Sequence, residues 1–123
     1  MCGITGFVNF KENIKENIGT LKAMTDTLIH RGPNAEGTYI SNNIMFGHRR
    51  LIVVDPEGGK QPMKKVVNGK EYVLVYNGEL YNTEDLRKEL NKENILFDYT
   101  NAKAMRDFFP YYMFFLPIFN DEK

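Results

Sequence analysis

The chain opens Met1-Cys2-Gly3-Ile4, and Cys2 is its only cysteine. Removal of Met1 would place a free α-amine and a thiol on one residue. Such an amine titrates near ~7.7–8.0, so it can act as base toward its own sulfur without a separate histidine. The thiolate is the attacking species, and the small Gly3 is expected to leave room for a substrate beside it. Arg49 and Arg50 stand at the mouth of the apolar stretch Leu51-Ile52-Val53-Val54. Their guanidinium forks could hold a carboxylate, and solvated charge at a strand end is the competing reading. In Tyr76-Asn77-Gly78-Glu79, an Asn amide and a Gly N–H could converge on one oxygen, as in an oxyanion hole. The alternative there is an ordinary Asn-Gly turn. His30-Arg31-Gly32-Pro33-Asn34, taken alone, reads as a helix stop with a surface histidine.

These groups need elements to hold them. Ile4 to Phe10 reads as a strand that anchors the N-terminus. Ile14, Ile18, Leu21, Met24, Leu28 and Ile29 recur at spacings of three and four, one stripe of an amphipathic helix. Gly32-Pro33 stops that helix. Gly37–Ser41 and Ile44–His48 flank Asn42-Asn43, a two-residue hairpin turn. Leu51–Val54 reads as a further β-branched, apolar stretch, broken by Asp55-Pro56-Glu57-Gly58-Gly59. Val66-Val67 and Glu71–Tyr76 flank Asn68-Gly69, a second hairpin signal. Asn82 or Thr83 can cap a helix to about Asn91, with Glu84 and Asp85 favoured in its first turn and Leu86 and Leu90 on its apolar face. The pattern is α+β with antiparallel strands.

Composition narrows the function classes. A chain of 123 residues is one domain or part of one. Its 16 Lys+Arg balance 16 Asp+Glu, so no basic stripe argues for nucleic acid. A single cysteine rules out an internal disulfide framework and suits a reducing compartment. There is no signal-like start, and the apolar run Phe108 to Phe119, broken by Pro110 and Pro117, is short of the ~20 residues of a spanning helix. The expectation is a soluble, cytoplasmic protein without a membrane partner. His30 and His48 lie far apart and Cys2 has no partner, so no metal site is expected.

Taken in order, Met-Cys-Gly-Ile, His-Arg-Gly-Pro-Asn, Gly-His-Arg-Arg-Leu-Ile-Val-Val-Asp, Gly-Gly-Lys-Gln-Pro-Met and Tyr-Asn-Gly-Glu-Leu-Tyr-Asn resemble one family. They look like the start of the class II glutamine amidotransferase domain of glutamine-hydrolysing asparagine synthetases, which are N-terminal-nucleophile hydrolases. The resemblance covers residues 1 to about 100. It implies an αββα sandwich of antiparallel sheets and hydrolysis of glutamine to glutamate and ammonia through a cysteine thioester. By the same resemblance Cys2 is the nucleophile and Arg50 grips the α-carboxylate of glutamine. Leu51, Ile52, Val53 and Val54 line that pocket with backbone, Asn77 and Gly78 are the oxyanion donors, and Glu79 contacts the substrate α-amino group. No cofactor is implied for this chain. ATP and Mg would belong to a synthetase domain, which uses the ammonia to make asparagine and could here be supplied in trans as a domain or subunit.

The sequence departs from the family after Tyr99-Thr100-Asn101. A Ser-Asp pair, whose aspartate would hold the substrate ammonium, is replaced by Ala102 and Lys103. A cation there would repel that ammonium. Residues 101–123 form a divergent aromatic tail without family match or periodicity, and the expectation is out-of-frame or foreign sequence. The αββα sandwich is therefore expected to be incomplete. Three readings stay open: a glutaminase, a truncated or frameshifted fragment without activity, and a subunit completed by a partner chain.

Overall fold

The computed structural model describes residues 1–53, 56–78 and 82–93. Val54, Asp55, Glu79 and residues 94–123, with the Ala102-Lys103 departure and the aromatic tail, lie outside the described residues.

A three-stranded antiparallel sheet is built from β1 (Gly3–Val8), β2 (Ala35–Ile40) and β3 (Ile44–Arg50), with β3 in the middle. β1 pairs with β3 from Gly3↔Arg49 to Val8↔Ile44, and β2 pairs with β3 from Ala35↔Arg50 to Ile40↔Met45. Because side chains alternate along a strand, this register sorts the residues onto two faces. Thr5, Phe7, Ile40, Met45, Gly47 and Arg49 face helix α1 (Ile18–Asp26), while Ile4, Tyr39, Phe46, His48 and Arg50 face the other way.

The helical stripe is shorter than its periodicity predicts. Lys15–Asn17 form a 3-10 turn before α1 begins at Ile18. The Ile14 N–H is drawn to Asn42 O at 2.7 Å, a contact with the β2–β3 turn that local periodicity does not contain. Ile14, Leu21 and Met45 form the core on this face, with Phe7 and Ile40 packed against them. Ile18 and Ile29 are each 52% exposed, whereas the polar Thr25 is buried. Its hydroxyl donates to Leu21 O at 2.8 Å, and its small side chain sits directly against Gly47, where any Cβ would overlap it.

The Asn42-Asn43 hairpin forms as expected. Ser41 N–H donates to Ile44 O at 2.9 Å, and the Ile44 N–H is taken by Ser41 Oγ at 3.0 Å. A second antiparallel pair, β4 (Met63–Val67) and β5 (Lys70–Leu74), closes through Asn68-Gly69. Both turn residues adopt positive φ, 51° and 76°, the conformation a type I′ hairpin turn requires and Asn-Gly tolerates. Helix α2 (Thr83–Lys92) follows with Asn82 at its N-cap position, although no side-chain cap bond forms there. Leu90 is fully buried. The architecture is α+β with antiparallel sheets, and no helix among the described residues is long and apolar enough to cross a membrane.

Candidate active site

Cys2 immediately precedes β1. Continuing the Gly3↔Arg49 register by one residue sets it beside Arg50, on the face away from α1. The half-buried thiol lies between the polar groups of one backbone residue: Leu51 N–H donates to Sγ at 3.4 Å, and Sγ is 3.8 Å from Leu51 O. Arg31 Nε donates to the Cys2 carbonyl at 3.2 Å. Both backbone and side chain of the nucleophile candidate are therefore held. Met1 is 73% exposed, so the peptide bond before Cys2 is open to removal of the methionine. Met1, His30, Arg31, Pro33 and Leu51 line an open hollow of about 480 Å³ beside this residue.

The small size of Gly3 also serves the packing of the sheet. It faces α1, where an added Cβ would come within 2.9 Å of Leu28 Cβ. The small residue thus admits the chain that follows α1 to the sheet.

The two arginines, one residue apart, point to opposite faces. Arg49 turns to α1, where it donates to Thr25 O at 3.2 Å and pairs with Asp26 and with Glu36 at 2.9 Å. Lys22 adds to this cluster through Asp26 at 2.5 Å. The Asp26 carboxyl is held below its ordinary range, chiefly by the Lys22 hydrogen bond. Arg50 lies on the Cys2 face and donates to Pro56 O at 2.7 Å. Neither arginine is solvated strand-end charge, since they are only 8% and 6% exposed. Of the pair, only Arg50 shares the sheet face of Cys2.

Leu51-Ile52-Val53 is not a strand. β3 ends at Arg50, and the chain leaves the sheet because Pro33 and Asn34 take over its pairing. Pro33 bridges Arg50 in parallel, Asn34 N–H donates to Arg50 O at 3.1 Å, and Asn34 Oδ1 accepts the Ile52 N–H at 3.0 Å. Gly32 makes this approach possible, because a Cβ there would overlap the Arg49 backbone. His30-Arg31-Gly32-Pro33-Asn34 is thus more than a helix stop. Arg31 and Asn34 hold the Cys2 and Ile52 backbones, roles invisible in sequence because both partners are distant along the chain. Val53 is 72% exposed.

Asn77 and Gly78 follow β5 directly, half-buried and exposed respectively. The hydrogen bonds of Cys2 run to Leu51 and Arg31 and not to this turn. Val54 and Glu79, the remaining expected site residues, lie outside the described residues. His48 was not expected in the site, yet it is 1% exposed on the same face, next to Arg50 in β3, and its Nε2 has no hydrogen-bond partner among the described residues. Burial lowers its proton affinity and the Arg50 charge adds to this, partly countered by the Tyr76 backbone.

A family profile described as a glutamine amidotransferase domain matches residues 1–102. The chain belongs to this glutamine amidotransferase family. Among its relatives, asparagine synthetase [glutamine-hydrolyzing] 3 of Bacillus subtilis is 50% identical over 101 residues, covering 82% of this chain and 16% of that protein. Asparagine synthetase B [glutamine-hydrolyzing] of Escherichia coli is 37% identical over 89 residues, 72% of this chain and 16% of the relative. Asparagine synthetase [glutamine-hydrolyzing] 1 of Arabidopsis thaliana is 36% identical over 90 residues, 73% and 15% respectively. The amidotransferase chain thus spans about one sixth of the length of these curated relatives.

Proposed function

We propose that this chain is the glutaminase part of an asparagine synthetase. The observation that carries the reading is the placement of Cys2: a thiol seated on the Leu51 amide, on the sheet face that carries the buried Arg50, beside an open hollow lined in part by Met1.

With Met1 removed, the Cys2 α-amine takes the thiol proton and the sulfur attacks the side-chain carbonyl carbon of glutamine. The oxygen that gains negative charge is received by the Asn77 amide and the Gly78 N–H. The C–N bond breaks, ammonia leaves with the proton held by the amine, and a thioester remains. Water then adds to the thioester, and loss of the sulfur yields glutamate. Arg50 takes the α-carboxylate, the backbone of Leu51, Ile52, Val53 and Val54 borders the substrate, and Glu79 meets its ammonium. None of these steps calls for a metal. ATP and Mg would serve a synthetase domain, which stands as the partner that consumes the ammonia in making asparagine.

Glutamate release by the purified chain, after intact-mass confirmation that Met1 is absent, tests the reading. Turnover that disappears in Cys2→Ala supports it. A folded, Met1-free sample that releases no glutamate from glutamine refutes it. A second reading, a subunit completed by a partner chain, draws on Ile4 and Val8. They stay 42% and 50% exposed on the site face of β1, apolar surface that a partner would cover. Light scattering showing a lone monomer would count against it.

A further inference from the structure

Gln61 belongs to none of the groups assigned so far, and its place follows from the β4–β5 ladder. The pairs run from Val67↔Lys70 to Met63↔Leu74, and the same register carried two residues further sets Gln61 opposite Tyr76. Pro62 has no N–H, so the backbone ladder cannot simply continue. The Gln61 side chain continues it instead. Its Oε1 accepts the Tyr76 N–H at 2.5 Å and its Nε2 donates to the Tyr76 carbonyl at 2.9 Å. One carboxamide pairs with both polar groups of a single backbone residue, as an opposing strand residue would.

The other side of Gln61 rests on the main sheet. Its carbonyl oxygen abuts Gly37 of β2 so closely that a Cβ there would overlap it, and Gly37 is the sheet partner of His48. Gln61 is therefore wedged between the site face of the sheet and the segment that leads into Asn77-Gly78. The Tyr76 ring turns back on that segment, since a Cβ at Gly78 would lie 2.9 Å from Tyr76 Oη.

We infer that Gln61 is a positioning residue for the oxyanion donors: through its paired hydrogen bonds to Tyr76 it sets where Asn77 and Gly78 stand relative to the sheet that carries Cys2. The inference rests on the glutaminase reading above. Its physical basis is that oxyanion donors stabilise the transition state only when preorganised, and a displacement of about 1 Å can cost ~100-fold in rate. Tyr76 is the residue adjoining Asn77, so slack in its backbone passes directly to the donors.

The test combines amide hydrogen exchange with glutaminase kinetics on the full chain, wild type first. In Gln61→Met, similar in length but unable to pair, the Tyr76 amide should exchange at least about tenfold faster while the β3 amides keep their protection. The kcat should fall about 100-fold with KM within about twofold, because the lost contacts act in the transition state. Gln61→Glu keeps the acceptor for Tyr76 N–H but sets a carboxylate oxygen against the Tyr76 carbonyl. It should also lose kcat, and it serves where the methionine variant fails to fold. Unchanged Tyr76 exchange, unchanged kcat, or global loss of protection in both variants would each overturn the positioning role. Absence of turnover in the folded wild type would instead overturn the glutaminase reading, before any variant is compared.

Discussion

Replacing Arg50 by lysine isolates the role of its guanidinium. The side chain is 6% exposed and one of its nitrogens donates to Pro56 O at 2.7 Å. Lysine keeps the charge and has a donor for that carbonyl, but it cannot present the planar fork to a carboxylate. At a site this dry, a hydrogen bond to a charged group contributes about 1.5–3 kcal/mol. The loss of one such bond then weakens glutamine binding by about ten- to 150-fold. The α-carboxylate lies remote from the carbon under attack, so the interaction is the same in ground and transition states. The expected pattern is therefore a KM raised by that factor with kcat within about threefold. Steady-state glutamate release at varied glutamine measures both constants, and thermal unfolding checks that the variant is folded. A folded Arg50→Lys enzyme with unchanged KM would refute the assignment. A loss confined to kcat would place Arg50 at the reacting atoms instead.

Two predictions concern the scaffold. Leu21→Ala removes a side chain only 1% exposed at the centre of the α1–β3 core; it should destabilise the chain by about 2–5 kcal/mol, read from urea unfolding, and a loss below ~1 kcal/mol would show that α1 is not docked as described. His48 predicts an acid-sensitive fold. Its proton affinity is lowered in the native state by burial, whereas an unfolded histidine titrates near ~6.5. The unfolded chain thus binds the proton first. The His48 contribution is complete above that pH and is lost as pH falls toward the lower native value, with a slope of at most about 1.4 kcal/mol per pH unit. Urea midpoints between pH 7.5 and 5.5 should fall for wild type, and His48→Phe should flatten that dependence; an equal slope in both would exclude His48 as its source.

Local chemistry determines much of this protein. Asn68-Gly69 specifies its hairpin because few residue pairs accept positive φ at both turn positions. Gly32-Pro33 bars any further helix, although α1 already stops at Asp26, and the order of the motifs suffices to assign the family. Tertiary structure decided the remainder, and in each case the deciding partner is distant in the chain. Leu51–Val53 has strand-like composition, yet Asn34 captures the Ile52 N–H and the sheet stops at Arg50. Arg49 and Arg50 are indistinguishable in composition, and the alternation of β3 sends one to a structural ion cluster and the other to the face that carries Cys2. The sequence by itself could name Cys2 as a candidate nucleophile. Only the register of β1 on β3 and the Leu51 amide decide where its sulfur is held, because strand pairing and backbone hydrogen bonds across 49 residues leave no trace in local pattern.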